Sequence, residues 1–419
     1  MLDIHYFRTS FDEACRRLAT KHFACDLQKV ARLDKARLEQ QQAFESSKAE
    51  LNTLSKNLSK LDPKSPEFAK ARQQATTLSK ATKEKEAAYK QAEQAFKEAW
   101  LSIPNTPAPS VPVGKGDKDN VELYQWHPQN EDFSHSCPHY DLPNFEQKID
   151  FSRGAKVMGA GFPFYVGELA YLVRALIAFF LDSARKNGYL EILPPLLVNS
   201  DSALATGQLP DKENMMYHTD EGYLIPTAEV PITNFYRNEI FNEADLPIKR
   251  CAYSACFRRE AGSWGKDVRG LNRLHQFDKV ELVQWVLPQE SAQALLTLRS
   301  HAEELLKQLE IPYRVLAICT GDMGFPHAEQ YDLEVWAAGQ QRWLEVSSCS
   351  CFTDFQARRA NIRYKSSSGN LEFVYTLNAS GLAIPRVLAA ILENNHRGNG
   401  EISVPSVLHQ WLPMTKIHF

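Results

Sequence analysis

Along residues 27–100 apolar positions recur every three or four residues, with polar residues between them. Val30, Leu33, Phe44, Leu51, Leu54, Leu58 and Leu61 make one seam, and Phe68, Ala71, Ala75, Leu78, Tyr89, Ala92 and Phe96 a second. The stretch contains no Gly, and its only prolines are Pro63 and Pro66. Proline lacks the N–H donor and crowds the preceding turn, so the helix must break there. Two helices of similar length predict an antiparallel coiled-coil hairpin, its Ala-rich seam interrupted by Thr82 and Lys85. A short helical lead-in over 1–25 precedes it, with Phe7, Phe11, Ala14, Cys15 and Leu18 near helical spacing.

The pattern then changes. Pro104, Pro107, Pro109 and Pro112 mark a linker, drawn over 104–132, between an N-terminal domain at 1–103 and a second domain at 133–419. In the second domain, residues 167–187 read as a helix with Leu169, Leu172, Leu176, Phe179 and Phe180 on one face, closed by Gly188. Residues 189–198 read as a strand broken by Pro194-Pro195, which suits a sheet margin or an intersubunit contact. A short strand at 223–225 leads into a helix running through 241. Two longer strands, 250–259 and 275–286, flank a loop marked by Gly262, Gly265, Asp267 and Gly270. A helix at 288–309, strands at 331–336, 342–347 and 373–377, and a closing helix at 387–394 complete the reading. Hairpin-length gaps between strands predict an α+β fold: an antiparallel sheet with flanking helices, plus the N-terminal helical arm.

Composition adds limits. A net charge of -3 over 419 residues gives no global sign of nucleic-acid binding. The charge is uneven, however. The hairpin carries 15 Lys and Arg against 10 Asp and Glu, so a basic arm extends an acidic body. That suits either a solvated helix face or a polyanion partner. The longest apolar run falls well short of the roughly 18 residues that cross a bilayer, so no membrane association is expected. The eight cysteines form no CxxC pair, which points away from disulfides and toward a reducing cytoplasm. His135, Cys137 and His139 lie close together but lack paired metal-ligand spacing.

Candidate chemistry concentrates on the central hairpin. Its first strand ends Phe257-Arg258-Arg259-Glu260 and its second begins His275-Gln-Phe277-Asp-Lys279-Val-Glu281. The fork of an arginine matches phosphate, and Phe277 offers a face to a purine base. No GxxxxGK[ST] loop is present, so any ATP must be held differently.

Taken together, these residues resemble class II aminoacyl-tRNA synthetases: the helix and Pro-containing strand at 169–195, the Arg258–Glu260 segment, and Gly381-Leu-Ala-Ile-Pro-Arg386 opening the last helix. Thr206-Gly-Gln-Leu-Pro, Thr227-Ala-Glu229, Thr320-Gly-Asp-Met-Gly324, Tyr331-Asp-Leu-Glu-Val-Trp336, Glu345-Val-Ser-Ser-Cys-Ser350 and Asp354-Phe-Gln-Ala-Arg-Arg359 narrow the resemblance to bacterial-type seryl-tRNA synthetases. The resemblance runs from the first residues to the closing helix. It implies activation of L-serine by ATP and transfer to tRNA(Ser), with tRNA(Sec) a further acceptor in the family. It also implies binding of tRNA through the 27–100 arm, a homodimer, and Mg²⁺ as cofactor.

By position, Arg258 and Arg386 would be catalytic, and Arg258, Glu260, Phe277, Glu345, Val346, Ser347, Ser348 and Arg386 would bind ATP. Glu345 and Ser348 would hold Mg²⁺. Thr227, Ala228, Glu229, Arg258, Glu281, Asn378 and Ser380 would bind serine, with Glu281 accepting its hydroxyl and Ser380 lining the other side. No zinc is expected, since the Cys-ligand pattern of the zinc-containing form is missing. Ala379 and Pro385 depart from the Gly residues usual in the family. Two alternatives carry different predictions. A ligase that loads an amino acid onto a carrier protein would lack the arm. A non-catalytic coiled-coil tRNA-binding protein would show losses among Arg258, Glu260, Glu281, Glu345 and Arg386, and none is seen.

Overall fold

The helix break at the paired prolines is built as the sequence requires. In the computed structural model, which describes residues 1–211, 214–260 and 269–419, α1 (Leu27–Leu58) and α2 (Pro66–Leu101) form the two legs. Ser65 caps α2 by accepting the Phe68 N–H at 3.1 Å, and Pro66 sits in the first turn, where its missing donor costs nothing. The polar interruption of the seam proves to be a matched pair: the Ser47 and Thr82 hydroxyls meet at 2.9 Å between the legs, both buried. Phe44 stacks on Tyr89, and Phe7, Phe96 and Trp100 close the base of the hairpin. Asp34 is held there by Arg8 at 2.7 Å and Arg37 at 2.9 Å. Burial alone would raise its carboxyl, but the two guanidinium groups hold it below the ordinary value. This unit comprises Met1, Asp3–Cys15 and Phe23–Pro104; a second comprises Leu2, Arg16–His22 and Asn105–Phe419.

The second unit is organised on one eight-stranded sheet. In chain order its strands are β1 (Val121–Trp126), β2 (Leu190–Glu191), β3 (Ile248–Phe257), β4 (Gln276–Val286), β5 (Tyr313–Ala317), β6 (Glu329–Ala337), β7 (Arg342–Cys351) and β8 (Tyr375–Ala383). They lie in the order β1-β5-β6-β7-β8-β4-β3-β2. Every neighbouring pair is antiparallel except β2 with β3. The longest helices described in this unit are α3 (Glu168–Lys186), α4 (Ser291–Gln308) and α5 (Ile384–Asn394).

Alternation along β4 sorts its residues to two faces. Val280, Leu282 and Val286 join Leu169, Leu176 and Phe180 of α3 and Val387, Leu388 and Ile391 of α5 in one apolar cluster. Each such side chain, fully buried, contributes about 1.5–3 kcal/mol. Phe277, Lys279 and Glu281 occupy the opposite face. The hydrophobic positions expected on α3 are all buried.

Several elements differ from expectation. Residues 121–126, inside the stretch read as linker, form edge strand β1, and 313–317 form β5. The helix expected through 241 spans only Glu229–Asn234, followed by a strand at Ile240–Asn242. The 189–198 strand splits at its prolines into Leu190–Glu191 and Leu197–Val198. Gly262, Gly265 and Asp267 lie outside the described residues.

Candidate active site

The face of β4 that carries Phe277, Lys279 and Glu281 opens onto a cleft of about 530 Å³, part of it open to solvent. Arg258, Glu260, Phe277, Glu345, Val346, Ser380 and Arg386 line it, with Lys279, Asn272 and Arg273 among them. Arg258 directly follows β3, with its Nε donating to the Pro226 carbonyl at 3.2 Å and its guanidinium 5.2 Å from the Phe277 ring centre. Arg386, in the first turn of α5, spans the cleft. Its Nε donates to the Asn272 carbonyl at 3.1 Å and its Nη1 to the Glu345 carbonyl at 2.7 Å. Glu260 pairs with Arg273 at 3.0 Å.

Beneath the cleft lies a buried polar layer. Glu281 is fully buried. Its Oε2 takes the Thr227 hydroxyl and the Lys279 ammonium, the latter at 2.6 Å, and its Oε1 takes the Asn378 amide at 3.0 Å. Lys279 also donates to the Ser380 hydroxyl at 3.1 Å, which ties the buried layer to the cleft wall. Glu229 is buried beside it and accepts from Gln356 at 2.6 Å. Burial first, and the nearby Glu281 charge second, raise the Glu229 carboxyl to about 7.

A bulge shapes the β7 side of the site. Leu333 pairs with Ser347 and Glu334 with Glu345, so Val346 is one residue too many on β7. In a regular strand Glu345 and Ser348, three apart, would face opposite ways. The extra residue returns both to the cleft face, along with Asp332, which sits directly opposite Ser348. Burial and the Glu345 charge push the Asp332 carboxyl well above the ordinary range. Among the described residues no group of three or more His, Cys, Asp or Glu side chains is arranged to hold a metal alone.

The remaining sequence candidates are placed differently. Ala228 is packed in an apolar cluster, so only its backbone can serve a ligand. Val346 borders the cleft while its side chain is buried in the core, and the Ser347 hydroxyl is spent on the Ser380 carbonyl. Cys349 and Cys351 point into the same core. Ala379 also faces the core, away from Ser380, and Pro385 lies in the first turn of α5 at the cleft rim. Both departures from the family pattern therefore leave the polar layer intact.

Comparison with known proteins decides the class. Residues 1–107 match the seryl-tRNA synthetase N-terminal domain, and residues 214–395 match the tRNA synthetase class II core domain (G, H, P, S and T). The serine–tRNA ligase of Pelobacter propionicus is 46% identical over 416 residues, 98% of each chain. That of Salinibacter ruber is 55% identical over 331 residues, 78% of this chain and 77% of that protein. The chain belongs to the seryl-tRNA synthetase family. It is an ATP-dependent ligase that attaches serine to tRNA. A crystal structure of the Pyrococcus horikoshii seryl-tRNA synthetase complexed with ATP superposes with a TM-score of 0.90 at 32% identity, covering 100% of this chain and 99% of that one. One from Naegleria fowleri in complex with AMP gives a TM-score of 0.85 at 28% identity.

Several site residues carry no role assigned from the sequence. Lys279 lies between two assigned residues at the strand period, which is the signal that it shares their face. Gln356 and Thr376, joined at 2.7 Å, fix Glu229 from a distant segment. Asp332 becomes a neighbour of Ser348 only through strand pairing.

Proposed function

We propose that the cleft binds ATP and the buried layer below it selects serine. The observation that supports this most is that two arginines, an aromatic ring and a carboxylate converge on one sheet face above the Glu281–Lys279 pair. In this reading Arg258 holds the α-phosphate and the serine carboxylate. Phe277 and Arg386 enclose the adenine from its two sides, with Glu260 at its edge. The serine carboxylate oxygen attacks the α-phosphorus and pyrophosphate leaves. The tRNA 3′-terminal ribose hydroxyl then attacks the adenylate carbonyl carbon and AMP leaves. The arginines act by stabilising charge that grows in the first step. Glu345 and Ser348, with Asp332 beside them, supply the hard oxygen donors that Mg²⁺ prefers, and their small number suits an ion shared with substrate phosphates. When bound, Mg²⁺ would neutralise phosphate charge. Aminoacylation of purified tRNA with each amino acid in turn tests the whole reading: charging with serine alone is expected, and charging with another amino acid at a similar rate overturns it.

The arm suits tRNA because all its Lys and Arg side chains except Arg37 are exposed. The exposed apolar side chains at Val157, Met158, Phe164, Leu190, Leu193 and Leu197 suit burial against a second copy, as a homodimer would provide. No helix among the described residues is long and apolar enough to cross a membrane. Eight free cysteines fit a cytoplasmic setting.

Glu281 gives a test of amino-acid choice. A carboxylate has about four lone-pair sites, and Thr227, Lys279 and Asn378 use three, leaving one for the serine hydroxyl. A pocket built to pair a hydroxyl rejects an analogue lacking it by about 10⁴–10⁵, whereas excluding one methyl gives roughly 10–200-fold. Discrimination against alanine should therefore be steeper than against threonine. Glu281→Ala should cost serine activation far more than alanine activation in pyrophosphate exchange. Equal losses for the two would make Glu281 a support of the fold only.

Glu229 gives a pH dependence. Its carboxyl, raised to about 7, is neutral below that value and ionised above it. An ionised Glu229 would attract the serine ammonium. The KM for serine should fall by about tenfold per unit as pH rises toward 7 and then level off. Glu229→Gln should flatten the profile. A flat wild-type profile between pH 6 and 7.5, or the same slope in the variant, overturns the assignment.

A further inference from the structure

His139 stands in the sequence beside His135 and Cys137, and the proposed chemistry does not use it. In the fold its ring is fully buried and joins two segments far apart in the chain. Nδ1 lies 2.7 Å from Oε1 of Glu393, near the end of α5. Nε2 accepts the Leu271 N–H at 2.8 Å. A backbone N–H can only donate, so Nε2 carries no proton, and the ring proton must sit on Nδ1 facing the carboxylate. Glu393 is fixed in turn by the Gln340 backbone N–H at 3.0 Å and its side-chain amide at 2.7 Å. His139 is thus a rigid post with one acceptor presented to the chain.

What it receives is the segment that returns from the long hairpin into β4. Leu271 and Asn272 both border the cleft. The Asn272 side chain donates to Gln340 at 2.7 Å, and its carbonyl accepts from Nε of Arg386 at 3.1 Å. The approach is close: Gly270 has φ of +62°, and a Cβ there would fall 2.1 Å from Nε2 of His139. Glycine accepts that backbone conformation without strain and leaves room for the ring.

We propose that His139 is a positioning residue for nucleotide binding: by accepting the Leu271 N–H it fixes the Asn272 carbonyl, which aims the Arg386 guanidinium across the cleft. The inference rests on the reading of Arg386 given above. His139→Asn retains an amide near the Nδ1 position, facing Glu393, and loses the acceptor for Leu271. His139→Gln places a carbonyl oxygen near the Nε2 position and retains that acceptor. Serine-dependent pyrophosphate exchange gives KM for ATP and for serine in each variant. The Asn variant should raise the ATP KM about three- to tenfold, the worth of one buried hydrogen bond, with the serine KM unchanged. The Gln variant should recover most of that loss. Gly270→Ala, which pushes the chain off an intact ring, should reproduce the ATP-specific effect if the His139 variants fold poorly. In an Arg386→Ala background the Asn change should add nothing, because it acts through the missing group. Equal behaviour of Asn and Gln, a serine KM that rises in step with that for ATP, or additive losses with Arg386→Ala would reduce His139 to a core residue. An Arg386→Ala enzyme with unchanged ATP KM would remove the reading of Arg386 itself. An elevated ATP KM in that enzyme beside a normal one in His139→Asn would remove only the inference.

Discussion

Replacing Arg258 with alanine is expected to lower serine-dependent pyrophosphate exchange by about 10²–10³, the usual cost of losing one charged transition-state donor. The expectation rests on position as well as charge. Arg258 directly follows β3, its Nε is anchored at 3.2 Å on the Pro226 carbonyl, and its guanidinium lies over Phe277. That anchor leaves the remaining guanidinium donors turned to the cleft, where a fork can meet phosphate and carboxylate together. Arg258→Lys should rescue little, since an ammonium cannot reproduce the two parallel donors. Exchange within threefold of the parent enzyme would sink the assignment.

The second large effect is expected from the arm. Deleting residues 30–96 across a short linker should leave serine activation near its full rate and remove measurable tRNA charging. The hairpin has its own seam, its own buried Ser47–Thr82 contact and fourteen exposed basic side chains. Substituting those basic residues in groups should weaken tRNA binding. It should also make the salt dependence shallower, by roughly 0.7–0.9 in log–log slope for each phosphate no longer neutralised. Charging with unchanged KM for tRNA after the deletion would show that the arm is structural only.

Much of this architecture was legible because its signals are local. The paired prolines at 63 and 66 break the arm, the apolar face of α3 repeats at helical spacing, and the Arg258–Glu260 and Phe277–Glu281 segments announce adjoining strands. The parts that were not legible depend on pairing between distant segments. β1 has five exposed residues in six and follows a Pro-rich stretch, so nothing in its own pattern marks a buried face. β5 is five residues long and lies four residues past α4, behind Pro312, too short a run to mark a strand by itself. The hydrogen bond of Gln356 to Glu229, and that of Leu271 to His139, each join residues more than 100 positions apart. Glu345 and Ser348 came from the family resemblance alone, since strand alternation would separate them.

That last pair shows what the bulge at Val346 implies for insertion and deletion. A β-strand has parity: each single-residue change in length exchanges its two faces, and each double change restores them. Deleting Val346 would restore a regular ladder in which Glu345 and Ser348 stand two apart, both still on the cleft face, with the loss falling on one core side chain. The bulge absorbs one residue without exchanging the faces of β7, so a spacing of three serves a site that strict alternation would reserve for spacings of two.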